Sequence, residues 1–216
     1  AKRVIVSPGV SIGQPLIQAA NQQGAEVLGD IELFAQHADA PVIAITGSNG
    51  KSTVTTLVAE MVAAAGKSVG VGGNLGTPAL DLLSHQTDSK LNAPDFYVLE
   101  LSSFQMETTT SLDAAAAVVL NISPDHMDRY DSLNAYMQAK SRIYRGNGVL
   151  VVNEDDPNVR EIVGRVVASI DRKRIGFSLR SDVKCTYHLG RHEGHDCIFR
   201  EDQLLVDVTD TKLRGR

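Results

Sequence analysis

The stretch Val42-Ile43-Ala44-Ile45-Thr46-Gly47-Ser48-Asn49-Gly50-Lys51-Ser52-Thr53 decides the fold. Val42 to Ile45 is a short apolar run of the kind that forms a buried strand, and Thr53 to Ala65 carries a helical pattern stopped by Gly66. Between them lies a turn with two glycines. A strand, a glycine turn and a helix in that order make a cradle for phosphate, because the turn aims backbone N–H groups inward and the helix dipole favours an anion. Gly47, Ser48, Asn49, Gly50, Lys51, Ser52 and Thr53 are therefore the expected nucleotide-binding set. In it Lys51 reaches the β- and γ-phosphates, and Ser52 offers a hydroxyl to Mg²⁺. The commoner form of this loop has a glycine at the place of Ile45, so the loop here belongs to a subclass. The competing reading is a tight turn that merely starts a helix.

Outward from this stretch, short apolar strands alternate with helical patterns. Strands are expected at Val4–Val6, Phe96–Leu101, Ala116–Ile122 and Val149–Val152, and helices at Pro15–Gln23, Leu133–Tyr144 and Pro157–Val167. Lys67–Val71 leads into Gly72-Gly73-Asn74. The expected class is α/β: a P-loop-type, mostly parallel sheet flanked by helices. From Arg174 the rhythm changes to short strands around turns (175–177, 185–189, 196–200 and 204–208), which predicts a small antiparallel sheet near the C-terminus. The polar stretch His37–Pro41 is the expected domain boundary. With no initiator Met, an opening strand and a tail Lys212-Leu213-Arg214-Gly215-Arg216 that closes nothing, the chain reads as a piece of a longer protein.

Three further clusters carry chemistry. Glu100 ends the Phe96 strand, where a carboxylate beside a phosphate loop suits a metal ligand or general base, and Ser102, Ser103 and Gln105 follow it. Asp125-His126-Met127-Asp128 follows the Ala116 strand and sets an imidazole between acids. Lys140 shares a helix face with Tyr136, Met137, Ile143 and Tyr144. Half-buried, it would have a lowered pKa, yet from these residues alone a snorkelling lysine is the favoured reading. In open parallel sheets ligands bind beyond the carboxyl ends of the strands. Each cluster follows an expected strand, so one sheet edge should collect them. Cys185, His188, His192, His195 and Cys197 suggest zinc, but the spacing lacks Cys-x-x-Cys and reads as hairpin.

Composition narrows the partners. Lys and Arg number 21 against 26 Asp and Glu, a net charge of −5, which disfavours nucleic acid as the main partner. The 43% hydrophobic content and 18 glycines are those of an ordinary globular chain of 216 residues. Two cysteines make no disulfide framework and fit a reducing cytoplasm. No apolar run reaches the roughly 18 residues of a membrane span, and no secretory signal opens the chain.

The phosphate loop, Gly72-Gly73-Asn74, Leu99-Glu100-Leu101-Ser102-Ser103-Phe104-Gln105, Asn121 with Asp125-His126-Met127-Asp128-Arg129-Tyr130, and Gln138-Ala139-Lys140-Ser141-Arg142-Ile143-Tyr144 together resemble the Mur ligases of bacterial peptidoglycan synthesis. The likeness is strongest to the branch that joins D-glutamate to UDP-N-acetylmuramoyl-L-alanine. It is weakest around residues 85–93 and after Ser181.

The resemblance implies three domains. Residues 1–38 would be the end of an N-terminal uridine-diphosphate-binding domain and 39–216 most of a central ATPase, with a C-terminal amino-acid-binding domain outside this chain. It implies an ADP-forming ligation through an acyl phosphate, with ATP and Mg²⁺ as cofactors, in a cytoplasmic monomer. Lys51, His126 and Lys140 would be catalytic. Ser52, Glu100, His126 and a carbamate on Lys140 would hold Mg²⁺, a role that overrides the snorkelling reading. Asn74, Ser102 and Gln105 would orient substrate, and the Ser7-Pro8-Gly9 turn would lie near the nucleotide sugar. The chain alone should not complete catalysis. A ligase similar to folylpolyglutamate synthetase is one alternative, and a non-catalytic nucleotide-binding switch is another.

Overall fold

A computed structural model describes residues 2–88, 92–167 and 172–211; the expected open tail Lys212–Arg216 lies outside them. Nine strands form one sheet, in the order β11-β10-β9-β8-β7-β6-β3-β5-β4. At its centre stands β3 (Val42–Thr46), paired in parallel with β5 (Phe96–Glu100) on one side and β6 (Ala116–Val119) on the other. β4 (Val69–Gly73) forms one edge, and β7 (Val149–Asn153) and β8 (Arg174–Ser178) continue the parallel order beyond β6. The expected antiparallel strands β9 (Tyr187–His192), β10 (His195–Arg200) and β11 (Gln203–Asp207) are present. They extend the main sheet rather than standing apart, because β9 pairs in parallel with β8.

Side chains alternate across this sheet, and the alternation assigns each strand residue to a face. Val42, Ala44, Tyr97, Leu99, Ala117, Val119, Leu150 and Val152 enter the larger core, which is closed by α2 (Asp30–His37), α5 (Leu133–Ser141) and α6 (Pro157–Val167). Ile45, Val98 and Val118 enter the other, where α3 (Lys51–Ala64) lays down Val54, Val58 and Val62. That stripe at every fourth residue is the helix face the sheet requires.

The N-terminal segment has its own short parallel pair, β1 (Arg3–Ile5) and β2 (Glu26–Leu28), around α1 (Pro15–Gln22). The polar stretch at His37 is less open than its composition suggests. It ends α2, whose Ile31 and Phe34 are wholly buried against the main core, and Ala38 and Ala40 pack there too. From the sequence, no element is expected at β2, at α2, at α4 (Ser103–Glu107) or at a 3-10 turn at Ala79–Gln86. Each spans eight residues or fewer, too few for a period to stand out.

Candidate active site

The phosphate loop follows β3 directly. Gly50 adopts φ +79°, and Val54 N–H donates to Gly50 O as the first bond into α3. The N–H groups of Lys51, Ser52 and Thr53, in the first turn of α3, are those a helix start leaves for an anion. Gly47 is needed for space: a Cβ there would stand 3.0 Å from Leu120 Cβ on the neighbouring loop. Ser48 N–H donates to Asn121 O (3.0 Å), Asn49 N–H donates to Asn121 Oδ1 (2.9 Å), and Asn121 Nδ2 donates back to Asn49 O (3.0 Å). Ser48 Oγ donates to Ser123 O and accepts from Ser123 N–H, both at 3.0 Å. The loop after β6 is thereby tied to the phosphate loop residue by residue. Asn121 belongs to the stretch that carries the family resemblance, but the bracing role that it shares with Ser123 comes only from the pairing of β3 with β6.

Strand parity sets Glu100 and Thr46 on opposite faces of the sheet. Glu100 shares the parity of Val98 and so faces α3, where Ser52 sits. Ser52 Oγ donates to Glu100 Oε2, and Asn74 Nδ2, from the loop after β4, donates to Glu100 Oε1, both at 2.8 Å. Gly73 allows this approach. It sits at φ +98°, and a Cβ would collide with the Glu100 carbonyl oxygen. Glu100 is 2% exposed. The Ser52 hydroxyl and the Glu100 carboxylate offer hard oxygen donors of the kind Mg²⁺ takes, so these two residues fit a divalent ion.

Thr46 has the opposite parity and faces α5. Lys140 Nζ donates to Thr46 Oγ1 (3.3 Å) and Gly47 O (2.9 Å), lies 4.8 Å from the centre of the Tyr136 ring, and is 2% exposed. It points inward along the helix rather than out to water, which corrects the snorkelling reading made from the residues alone. Burial, with the nearby Lys51 charge, pushes its pKa down to about 7. Lys51 Nζ curls over the loop to Gly47 O and Ser48 O, both at 3.1 Å.

His126 sits on the same rim at φ +54°, its ring 4.7 Å from that of Phe104 and its Nε2 3.6 Å from Asp125 Oδ2, with the side chain about half exposed. Among the described contacts it touches neither Glu100 nor Lys140. Ser102 and Gln105 follow β5 as a capping box for α4: Gln105 N–H donates to Ser102 Oγ (3.1 Å) and Ser102 N–H to Gln105 Oε1 (3.0 Å). Gln105 Nε2 donates to Asp30 Oδ2 (2.9 Å), so both ends of that amide are already engaged. Ser7 and Gly9 are exposed in a turn whose Pro8 carbonyl accepts from Arg129 (3.0 Å). At the far end of the sheet His188 stacks on Phe199 at 5.3 Å and His195 pairs with Asp207 at 3.2 Å, which are strand contacts.

The loops that converge follow β4, β5, β3 and β6, four adjacent strands, at their carboxyl ends. The chain moves from β3 to one side and then returns across it to β6. Such a reversal of strand order marks the place where open parallel sheets bind ligands.

Comparison with known proteins gives this arrangement a family. The Mur ligase middle domain matches residues 45–207. The chain is 50% identical over 216 residues to UDP-N-acetylmuramoylalanine–D-glutamate ligase of Nitrosococcus oceani, covering 100% of this chain and 45% of that protein. It thus spans less than half the length of this curated relative. In structure it resembles UDP-N-acetylmuramoyl-L-alanyl-D-glutamate–2,6-diaminopimelate ligase, with a TM-score of 0.67 and 24% identity over 94% of this chain and 52% of that one. MurF ligase from Thermotoga maritima in complex with ADP superposes with a TM-score of 0.59 at 18% identity, over 94% of this chain and 54% of that one. A match over most of the length, on the loops that form the rim, settles the assignment: the chain belongs to the Mur ligase family.

Proposed function

We propose that this chain is the ATP-binding core of a ligase that joins D-glutamate to UDP-N-acetylmuramoyl-L-alanine, forming ADP and phosphate. The observation that carries the reading is the chain of contacts Ser52–Glu100–Asn74, which links the phosphate loop to two neighbouring strands around one buried carboxylate. The 50% identity to a D-glutamate ligase supports the choice of substrates.

In the first step a substrate carboxylate oxygen bonds to the γ-phosphorus of ATP as the bond to the β-phosphate oxygen breaks, releasing ADP. Two anions must meet, so the barrier is largely electrostatic. Lys51 and the start of α3 hold the phosphates in the reading proposed here. Glu100 and Ser52 would hold Mg²⁺, which supplies neutralising charge and orients the triphosphate when bound. His126 and a carbamate on Lys140 would complete a second cation site with Glu100. Carbon dioxide adds only to a neutral amine, releasing a proton, and the depressed pKa of Lys140 gives it that amine near neutral pH. In the second step the amino group of D-glutamate bonds to the acyl carbon, phosphate leaves, and the nitrogen gives up a proton.

Asn74, Ser102, Gln105, Ser7 and Gly9 form the substrate side of this proposal. Gln105, with both amide atoms engaged, acts by shaping the Ser102 loop. Residues 1–38 would belong to the uridine-diphosphate-binding domain, and a third domain beyond residue 216 would supply the amino acid site. The test is ADP release by the full-length protein, offered each candidate amino acid with a muramyl or a folate acceptor. Turnover with D-glutamate and UDP-N-acetylmuramoyl-L-alanine, lost in Glu100→Ala, supports the reading; turnover only with a folate acceptor overturns it.

A further inference from the structure

Arg129 stands three residues after His126 in the same tight turn, its N–H donating to His126 O at 2.9 Å. Its side chain leaves the rim and reaches the N-terminal segment. Nε and Nη2 donate to the two oxygens of Glu107 (3.2 and 2.6 Å), Nη1 to Pro8 O (3.0 Å), and Nη2 to Val10 O (3.4 Å). The guanidinium carbon lies 4.1 Å from the centre of the Phe104 ring, which itself packs on His126. Arg129 and Glu107 are both mostly buried, so the pair is well shielded.

Val6, just before the turn, is buried and its N–H donates to Leu28 O at 2.8 Å, but beyond Val10 the packing is loose. A cavity of about 240 Å³, lined by Ser11, Ile12, Arg129, Tyr130 and Arg142, separates the chain just after Val10 from α5. Polar contacts to Pro8 and Val10 therefore carry much of the hold on the Ser7–Val10 turn. A planar fork with several donors can serve a carboxylate and two carbonyls at once, whereas an ammonium on a flexible stem cannot.

We infer that Arg129 is a positioning residue that fixes the Ser7–Gly9 turn relative to the His126 loop, and so sets the distance between the two ends of one long substrate. This deepens the function proposed above and rests on it. The nucleotide-sugar end would lie at the turn and the reacting carboxylate at the Glu100–His126 rim. Arg129 itself touches no reacting atom. Its effect should fall on the ligand that spans both places and spare ATP, whose proposed contacts at the phosphate loop and Glu100 lie away from the Arg129 side chain.

The experiment uses the full-length protein with Arg129→Lys and Glu107→Gln, the first keeping the charge and losing the fork. Arg129→Lys is expected to raise KM for the nucleotide-sugar substrate by roughly 10-fold to 100-fold, with KM for ATP changed by less than about 2-fold. Glu107→Gln should shift the same KM in the same direction by less. A second readout needs no turnover: hydrogen exchange of segment 4–12 should quicken in Arg129→Lys, including Val10 N–H, which donates to Ser7 O at 2.9 Å, while β3 and α3 stay protected. Equal rises in both KM values, or unchanged exchange in segment 4–12, overturn the inference. Wild-type protein without turnover on the nucleotide-sugar substrate would refute the proposed function instead, and the exchange result would still decide whether Arg129 holds the turn.

Discussion

Lys51 and Lys140 donate to the same oxygen, the carbonyl of Gly47, at 3.1 and 2.9 Å. One lysine comes from the start of α3 and the other from the end of α5, so a single peptide group gathers two ammonium groups from opposite faces of the sheet. Burial is the larger cause of the depressed Lys140 pKa, and the Lys51 charge adds to it. The arrangement concentrates positive charge where a triphosphate would lie and leaves one of the two amines ready to lose its proton.

Lys140 should titrate near neutrality. Its pKa of about 7 lies below the ordinary 10.5, so between these values the unfolded chain binds more protons than the folded one, and stability rises with pH across that window. Below about pH 7 the full cost of burying the charge is present. Lys140→Met should flatten this dependence, with a gain on the order of 1–3 kcal/mol at about pH 6 in urea unfolding. Lys51→Met should move the half-point of Lys140 modification by an amine reagent upward, as read by mass spectrometry.

Gly73→Ala should damage both fold and site. The residue sits at φ +98° with the Glu100 carbonyl oxygen where a Cβ would go. A loss of about 2–4 kcal/mol is expected, because a positive φ and a backbone clash combine. Thermal unfolding measures the loss, and ADP release by the full-length protein should fall with it as Asn74 is displaced from Glu100.

His126→Asn separates function from stability. Asn tolerates positive φ, and the imidazole is half exposed, so stability should change by less than about 0.5 kcal/mol. Turnover of the full-length protein should nevertheless fall by roughly 10²-fold or more if the ring serves the reaction. Unchanged turnover would remove His126 from the proposed machinery.

Glu32 ties α2 to the loop after α4. Burial alone would push its carboxyl up, but N–H groups of Thr110 and Ser111 (2.6 and 2.9 Å), with Gln36, hold it down to about 2. Its contribution is present above the ordinary carboxylate pKa of 4.5 and is lost as pH falls through about 2. Glu32→Gln should cost about 1–3 kcal/mol at neutral pH, and the variant should lose less than the wild type on acidification.

The sequence by itself determined the sheet and the identity of its rim. Buried strands advertise themselves as apolar runs, and a glycine turn between strand and helix is written in consecutive residues, so β3, α3 and the place of Lys51 and Ser52 at the head of α3 were legible locally. Pairing was not. That β6 lies beside β3, and hence that Asn121 and Ser123 brace the phosphate loop, depends on strand order, which no local pattern encodes. The direction of Lys140 was likewise decided by tertiary packing: on α5 alone it could reach solvent, and only the placement of Thr46 and Gly47 beneath the helix gives its ammonium a polar seat inside. Short-range periodicity fixes what a segment becomes; contacts between residues 93 and 94 apart in the chain are set by how the segments stack.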